Sequence, residues 1–215
     1  MRYSRKKIEE IKKKIPQIAY DLFEQYGMDE VTMQRVAQES NVGVATMYRY
    51  YGTKAQLVVD AYIYKWNKIS EEVTKQYKKA ESAFTLYEDF EFCLNSVLYV
   101  YQKYSGFLRF IQNFTMYVQQ DHVNDLLENQ ILNLSNQAME NFEGLYQSKI
   151  QTDTSICKDV SVQDLYVATI LSLYYTATKF SKETLVPLHS ESEPVALLEL
   201  QKNMYLNFIQ NKTRS

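Results

Sequence analysis

The segment Val31-Thr-Met-Gln-Arg-Val-Ala-Gln-Glu-Ser-Asn-Val-Gly-Val-Ala-Thr-Met-Tyr-Arg-Tyr-Tyr-Gly-Thr-Lys54 constrains the fold more tightly than any other part of the chain. It divides into two short runs, one with Val36 and Ala37 as inward positions and one with Met47 and Tyr51. Between them stands Asn41, a residue that tolerates the left-handed backbone of a tight turn. Thr32 suits an N-cap, because its hydroxyl can accept from a backbone N–H that the first helical turn leaves unpaired. Gly43 can cap the second run, and Thr53 followed by Gln56 predicts a capping box that opens a third helix. Two short helices, a tight turn and a third helix start are the layout of a helix-turn-helix.

Upstream, Ile8, Ile11, Ile15, Ile18, Leu22, Phe23 and Tyr26 recur at steps of three and four, the stripe of an amphipathic helix, and Gly27 supplies its stop. Pro16 leaves two readings open. Either the helix kinks there, or a basic arm ends near Lys14 and Pro16 takes the first helical position.

Downstream, five Gly and three Pro in 215 residues are too few for the turns of an all-β fold. Helical spacing instead covers Lys54 to about Lys79, with Leu57, Val58, Ala61, Tyr62 and Tyr64 on the apolar side. It recurs near 84–104, 106–119, 123–148, 161–182 and 194–211. Residues 149–160 and 186–194, the latter with Pro187 and Pro194, read as loops. The expected fold is all-α, with a helix-turn-helix head over 1–53 and a larger helical domain over 54–215.

Net charge is −2, which alone argues against a polyanionic partner. Its distribution argues the other way. Residues 1–56 carry ten Lys/Arg against seven Asp/Glu, net +3, and the remainder carries fourteen against nineteen, net −5. Cys93 and Cys157 are widely separated and read as reduced packing residues. The longest apolar stretch, Tyr166 to Ala177, is shorter than the ~20 residues of a bilayer span. With no signal peptide evident, a cytoplasmic protein is expected.

Ile15, Ala19, Leu22, Phe23, Gly27, Thr32, Val36, Ala37, Val42 and the run Thr46-Met-Tyr-Arg-Tyr-Tyr-Gly-Thr-Lys54, with Leu57, resemble the TetR-type transcriptional regulators. The run is similar to that family's Thr-Leu-Tyr-x-His/Tyr-Phe-x-x-Lys signature. Asn41 stands where the family's turn usually has Gly, Gly43 where Ser is common, and Tyr51 where Phe is usual. The resemblance implies that Thr32, Tyr48, Tyr50 and Lys54 hold DNA phosphates, contacts that position a reader without reading sequence.

The residue chemistry of the second short helix agrees. Val44 and Ala45 offer apolar contact, as with a thymine methyl, and Thr46 can meet a phosphate or a base. Gln34 can read an adenine bidentately, and Arg49 reaches either a guanine or a phosphate. Lys12, Lys13 and Lys14 form either a solvated face or an arm on DNA.

The resemblance further implies a helical ligand-binding and dimerisation domain. Nineteen Tyr and ten Phe fit an effector pocket for an apolar or aromatic ligand, with Phe92, Phe110, Phe114, Tyr117 and Tyr174 as candidates beside Phe90, Phe107 and Tyr175. The alternative is that these rings fill the core. Leu165, Ala168, Thr169, Ser172, Thr176 and Phe180 share one helix face near 161–182. Leu197, Leu200, Met204, Phe208 and Ile209 share another near 194–211. In the family such helices pair with their symmetry mates. A dimer then reads a palindromic operator in double-stranded DNA.

Catalysis finds little footing. There is no Gly-rich phosphate loop, nucleophile elbow or paired metal-ligand motif. His122 with Asp121 and Asp125 fits a solvated helix start better than a metal corner, and His189 has no partner in sequence. No enzyme activity, metal or cofactor is expected. The expected function is a dimeric, effector-responsive repressor. The competing reading is a head that docks a protein on a small-molecule-binding helical domain.

Overall fold

The computed structural model describes residues 5–77, 84–122, 125–150, 160–181 and 193–211. The described residues hold helices and no strand: α1 (Arg5–Tyr26), α2 (Met33–Glu39), α3 (Val44–Tyr51), α4 (Lys54–Tyr77), α5 (Leu86–Lys103), α6 (Ser105–Tyr117), α7 (Asp125–Lys149), α8 (Val162–Tyr166), α9 (Ser172–Phe180) and α10 (Pro194–Asn211). Two π-helical turns complete them: Val118–His122 follows α6, and Val167–Leu171 joins α8 to α9. The all-α expectation holds. Most of the two predicted loops, and with them Cys157, Pro187 and His189, lies outside the described residues, as do the side chains of Ile8, Asp121, His122 and Asp125.

Two compact units emerge. The first comprises Met1–Ser70 with Arg109–Leu132, and the second Glu71–Leu108 with Asn133–Ser215. In the first, Ile15, Ala19 and Phe23 of α1 are buried with Val36 and Ala37 of α2, Met47 of α3 and Leu57, Val58 and Val59 of α4. α1 runs on through Pro16, so Pro16 stands inside the helix and not at its first position. Proline has no N–H to donate, which leaves the Lys12 carbonyl without its helical partner. Gly27, at φ 85°, ends the helix, and its N–H donates to the Phe23 carbonyl at 3.0 Å. Tyr26 departs from the expected apolar stripe. It is exposed, and the Arg35 guanidinium lies 3.7 Å above its ring, an arrangement that a cation and a π face favour.

In the second unit α10 packs chiefly on α5 and α9, and α5 on α9 and the π turn. Phe90, Leu94 and Leu98 of α5, Leu173 and Ala177 of α9 and Leu198, Leu206 and Ile209 of α10 form the core. Thr85 starts α5 with a complete capping box. Its hydroxyl accepts from the Glu88 N–H at 3.3 Å, while the Glu88 carboxylate accepts from the Thr85 N–H at 2.7 Å.

Candidate nucleic-acid interface

The head is assembled by its caps. The Thr32 hydroxyl accepts from the Arg35 N–H at 3.2 Å and fixes the start of α2. Asn41, at φ 54°, carries the turn in the left-handed region, as expected from its side chain. Gly43, extended at φ −68° and ψ 143°, is the N-cap of α3. At the start of α4 only half of the expected capping box forms. The Gln56 N–H donates to Thr53 Oγ1 at 3.2 Å, but the Gln56 amide side chain donates forward to Asp60 at 2.7 Å. Asp60 is partly buried, which raises its carboxyl above the usual range while the Gln56 bond pulls the other way. Satisfying that carboxylate outweighs closing the box.

These caps decide which side chains face outward. In α3 the buried positions are Met47 and Tyr51, four apart, so the helix is anchored along one line. Val44, Ala45, Tyr48 and Arg49 are exposed, while Thr46 and Tyr50 are half-buried. In α2 Met33, Val36 and Ala37 are buried and Gln34 is exposed, as is the capping Thr32. α2 and α3 pack on each other, so the exposed residues of both belong to one short structural unit.

Lys54 is half-buried and its ammonium donates to the Asp29 carbonyl at 3.3 Å. Burial draws its pKa below the ordinary lysine value, opposed by the Asp29 and Glu30 carboxylates. The lysine is thus held in place at the first residue of α4. The Lys12 ammonium of α1 lies 5.5 Å from the Tyr50 ring centroid. The Arg49 guanidinium stands at the same distance from that ring. Sequence reasoning raised Lys12 only as part of a basic run. Its approach to Tyr50, 38 positions away in sequence, has no local signal.

The aromatic candidates divide between the two units. Phe110, Phe114 and Tyr117 are buried in the first, where Phe114 stacks on Tyr62 with centroids 4.5 Å apart and Tyr20 lies 4.9 Å from Phe110. Phe92 and Tyr174 belong to the second and are half-buried. Phe92 lies 5.0 Å from Tyr77, and Tyr174 lies 6.2 Å from Tyr175. Phe90 and Phe107 are buried core rings.

The expected pairing faces are corrected in part. Leu165 and Thr169 turn into the core of their own unit, and Ile209 does the same from α10. What α8, the π turn and α9 present outward is Val167 and Tyr175, with Leu171 half-buried between them. α10 presents Leu200, Met204 and Phe208 at steps of four, each at least half exposed. An open groove of about 470 Å³ runs beside Val167, Leu171, Ser172, Tyr175, Thr176 and Lys179. Among the described residues no helix is long and apolar enough to cross a membrane, and no group of three or more His, Cys, Asp or Glu is placed to hold a metal.

A capped three-helix head whose second short helix is pinned along one line and free along the rest is a helix-turn-helix DNA-binding head. Residues 17–61 match the model of the tetR family of bacterial regulatory proteins. An HTH-type transcriptional regulator of Staphylococcus aureus is 25% identical over 116 residues, which is 51% of this chain and 63% of that protein. The match thus spans less than two thirds of the relative's own length. The fold is also that of FadR from Bacillus subtilis, a transcriptional regulator solved in complex with stearoyl-CoA. The TM-score is 0.63 at 14% identity, over 91% of this chain and 98% of the other. The ketosteroid transcriptional regulator KstR2 of Mycobacterium tuberculosis is similar with TM-score 0.58 and 10% identity, over 98% and 97% of the two chains.

Proposed function

We propose that the protein is a cytoplasmic, dimeric, sequence-specific DNA-binding transcriptional repressor whose operator affinity is changed by a small apolar or aromatic effector. The observation that carries this reading is the family head with Val44, Ala45, Tyr48 and Arg49 exposed on α3 and Gln34 exposed on α2. Val44, Ala45, Thr46, Arg49 and Gln34 meet base edges in the major groove, while Thr32, Tyr48, Tyr50 and Lys54 hold phosphates. Residues 1–53 then form the DNA-binding domain and 54–215 the effector and dimer domain. The stripes Val167–Leu171–Tyr175 and Leu200–Met204–Phe208 support pairing of α8–α10 with a second copy, because contiguous exposed apolar surface marks an interaction site.

Two heads related by a two-fold axis read a palindrome. The effector, bound in the helical domain that follows the head, shifts α4 and with it the head spacing. It acts by its differential affinity for the two states. The acyl-CoA and ketosteroid descriptions of the structural neighbours support an apolar effector.

The test is selection of bound duplexes from a random pool, with binding repeated at two salt concentrations. An enriched palindrome whose affinity falls steeply with salt is the expected result. A head that captures no sequence at either salt, with the protein folded, overturns the reading in favour of a protein partner.

A further inference from the structure

Lys12, Lys13 and Lys14 are all exposed on α1, and all precede residues 17–61, which match the family model. The helix turns them in different directions. Lys12 stands three and seven positions before Ile15 and Ala19, which are fully buried. Its methylene stem therefore follows the inner line of α1 while its ammonium emerges at the edge. Lys14, two positions on, is rotated from it by about 200°.

What Lys12 meets at that edge is the Tyr50 ring of α3. Its ammonium lies 5.5 Å from the ring centroid, and the Arg49 guanidinium stands at the same distance. Each cation is drawn to the negative face of the ring. The two also repel each other, and among the described residues no carboxylate lies within ion-pair distance of either. Asp60 of α4 senses the Lys12 charge through space. Burial raises its carboxyl, and the Gln56 bond and then the Lys12 charge pull it back. The Asp60 oxygen bonds the Gln56 amide, so it does not bond the ammonium.

Two cations and a phenol hydroxyl, from two helices, thus gather at one spot with no anion bonded to them. Tyr50 is the member of this group that the reading above places on phosphate. A phosphodiester that accepts from its hydroxyl has a second non-bridging oxygen, and the ammonium beside the ring is placed to take it.

We infer that Lys12 of α1 holds the same DNA backbone phosphate as Tyr50, so that the DNA contact of the head extends onto α1. The inference rests on the DNA-binding reading of the head. Arg49 keeps its place at a base edge, and its charge adds to the field at that phosphate. As a phosphate contact Lys12 positions the reader and carries no sequence information, so its removal weakens binding alike for every sequence.

The experiment compares Lys12→Met, which keeps the stem and drops the charge, with Lys12→Arg and Lys14→Met. It uses the full chain, the selected operator and an unrelated duplex. In a dimer each variant acts twice per operator. The slope of log affinity against log salt is expected to fall by about 1.8 in Lys12→Met, at about 0.9 per phosphate. It stays at the parent value in the other two variants, and the selected palindrome does not change. A second arm replaces operator phosphates one at a time by neutral methylphosphonate. One position in each half-site should weaken the parent by about tenfold and Lys12→Met by less.

Equal Tm for the parent and Lys12→Met shows that the head is intact. Should Tm fall because Asp60 loses its neighbouring cation, Lys12→Met with Asp60→Asn removes both charges and undergoes the same slope measurement. An unchanged slope in Lys12→Met, an equal fall in Lys14→Met, or a methylphosphonate scan with no position coupled to Lys12 overturns this inference and leaves the regulator reading standing. A fall in slope on the unrelated duplex, from a protein that enriches no operator, keeps Lys12 on phosphate and sinks the sequence-specific reading alone. A folded protein that binds no duplex at any salt sinks both.

Discussion

Asn41 shows how one side chain selects the turn of the head. At φ 54° a β-branched residue meets its own carbonyl, whereas Asn bonds locally and Gly has no Cβ to collide. Asn41→Val is expected to cost about 1–2 kcal/mol in urea unfolding, by the penalty for a left-handed residue. Asn41→Gly should lie within about half a kcal/mol of the parent. Tyr48→Phe with Lys54→Ala removes two phosphate donors. The slope of log affinity against log salt should then fall by about 0.9 for each phosphate no longer neutralised, with the selected palindrome unchanged. An unchanged slope would remove Lys54 from the interface, and an unchanged affinity would remove both residues. The caps at Thr32 and Gly43 and the turn at Asn41 were legible because each acts within four residues of itself. The half-open box at Thr53 was not, since Gln56 is drawn away by Asp60, whose burial is a tertiary fact.

At the level of elements, apolar spacing placed every described helix to within a few residues, and α10 spans the predicted 194–211. The spacing fails where winding changes. Leu165, Thr169, Leu173, Ala177 and Ser181 are buried at strict steps of four. In an ideal α-helix each such step overshoots a full turn by about 40°, so this line would wrap around the helix. The wider π turn Val167–Leu171 takes back part of that drift and holds the five residues inward. A uniform period therefore misassigned Leu165 and Thr169 to the pairing face. On α10 the outward stripe is Leu200, Met204 and Phe208. Met204→Glu is expected to leave the fold intact and yield monomers by light scattering at micromolar concentration, with operator affinity falling at least about a hundredfold, since a half-site alone offers too small an interface. A dimeric Met204→Glu would exclude this face. Thr85→Ala, by contrast, acts only on α5, and without its capping box stability should fall by about 1 kcal/mol.

Across the whole chain the least legible features are side chains drawn together from distant positions. Glu72 accepts from the Tyr99 and Tyr104 hydroxyls and from the Lys103 ammonium, and Lys103 donates to Tyr99 at 2.7 Å. Nothing near Glu72 in sequence announces this, and the pair Glu71 and Glu72 reads only as two faces of a helix. The Lys103, Tyr104 and Tyr99 bonds hold its carboxyl at about 2, below the ordinary 4.5. A depressed carboxyl stabilises the fold above its unfolded pKa and loses that contribution as pH falls through the folded value. The Tm gap between the parent and Glu72→Gln should be widest at neutral pH, narrow below about 4.5 and close near pH 2. A gap independent of pH would mean that Glu72 acts by packing alone. Asp89 and Lys149, 60 positions apart, belong to the same class. The aromatic candidates were legible as buried or half-buried rings but not as members of two separate units, because composition carries no address.

The π turn also behaves as a frame marker. Taking one residue out of Val167–Leu171 rotates everything after it by about 100° against everything before. Val167 and Tyr175 would then leave their common line, and Leu173 and Ala177 would turn off the buried line they share with Leu165 and Thr169. A relative wound without that extra residue would have to move its apolar positions after the turn to rebuild the same interior, and its outer surface would then stand in a different phase. For the pairing proposed above, such a phase offset would sort subunits of one architecture by the winding of a single turn.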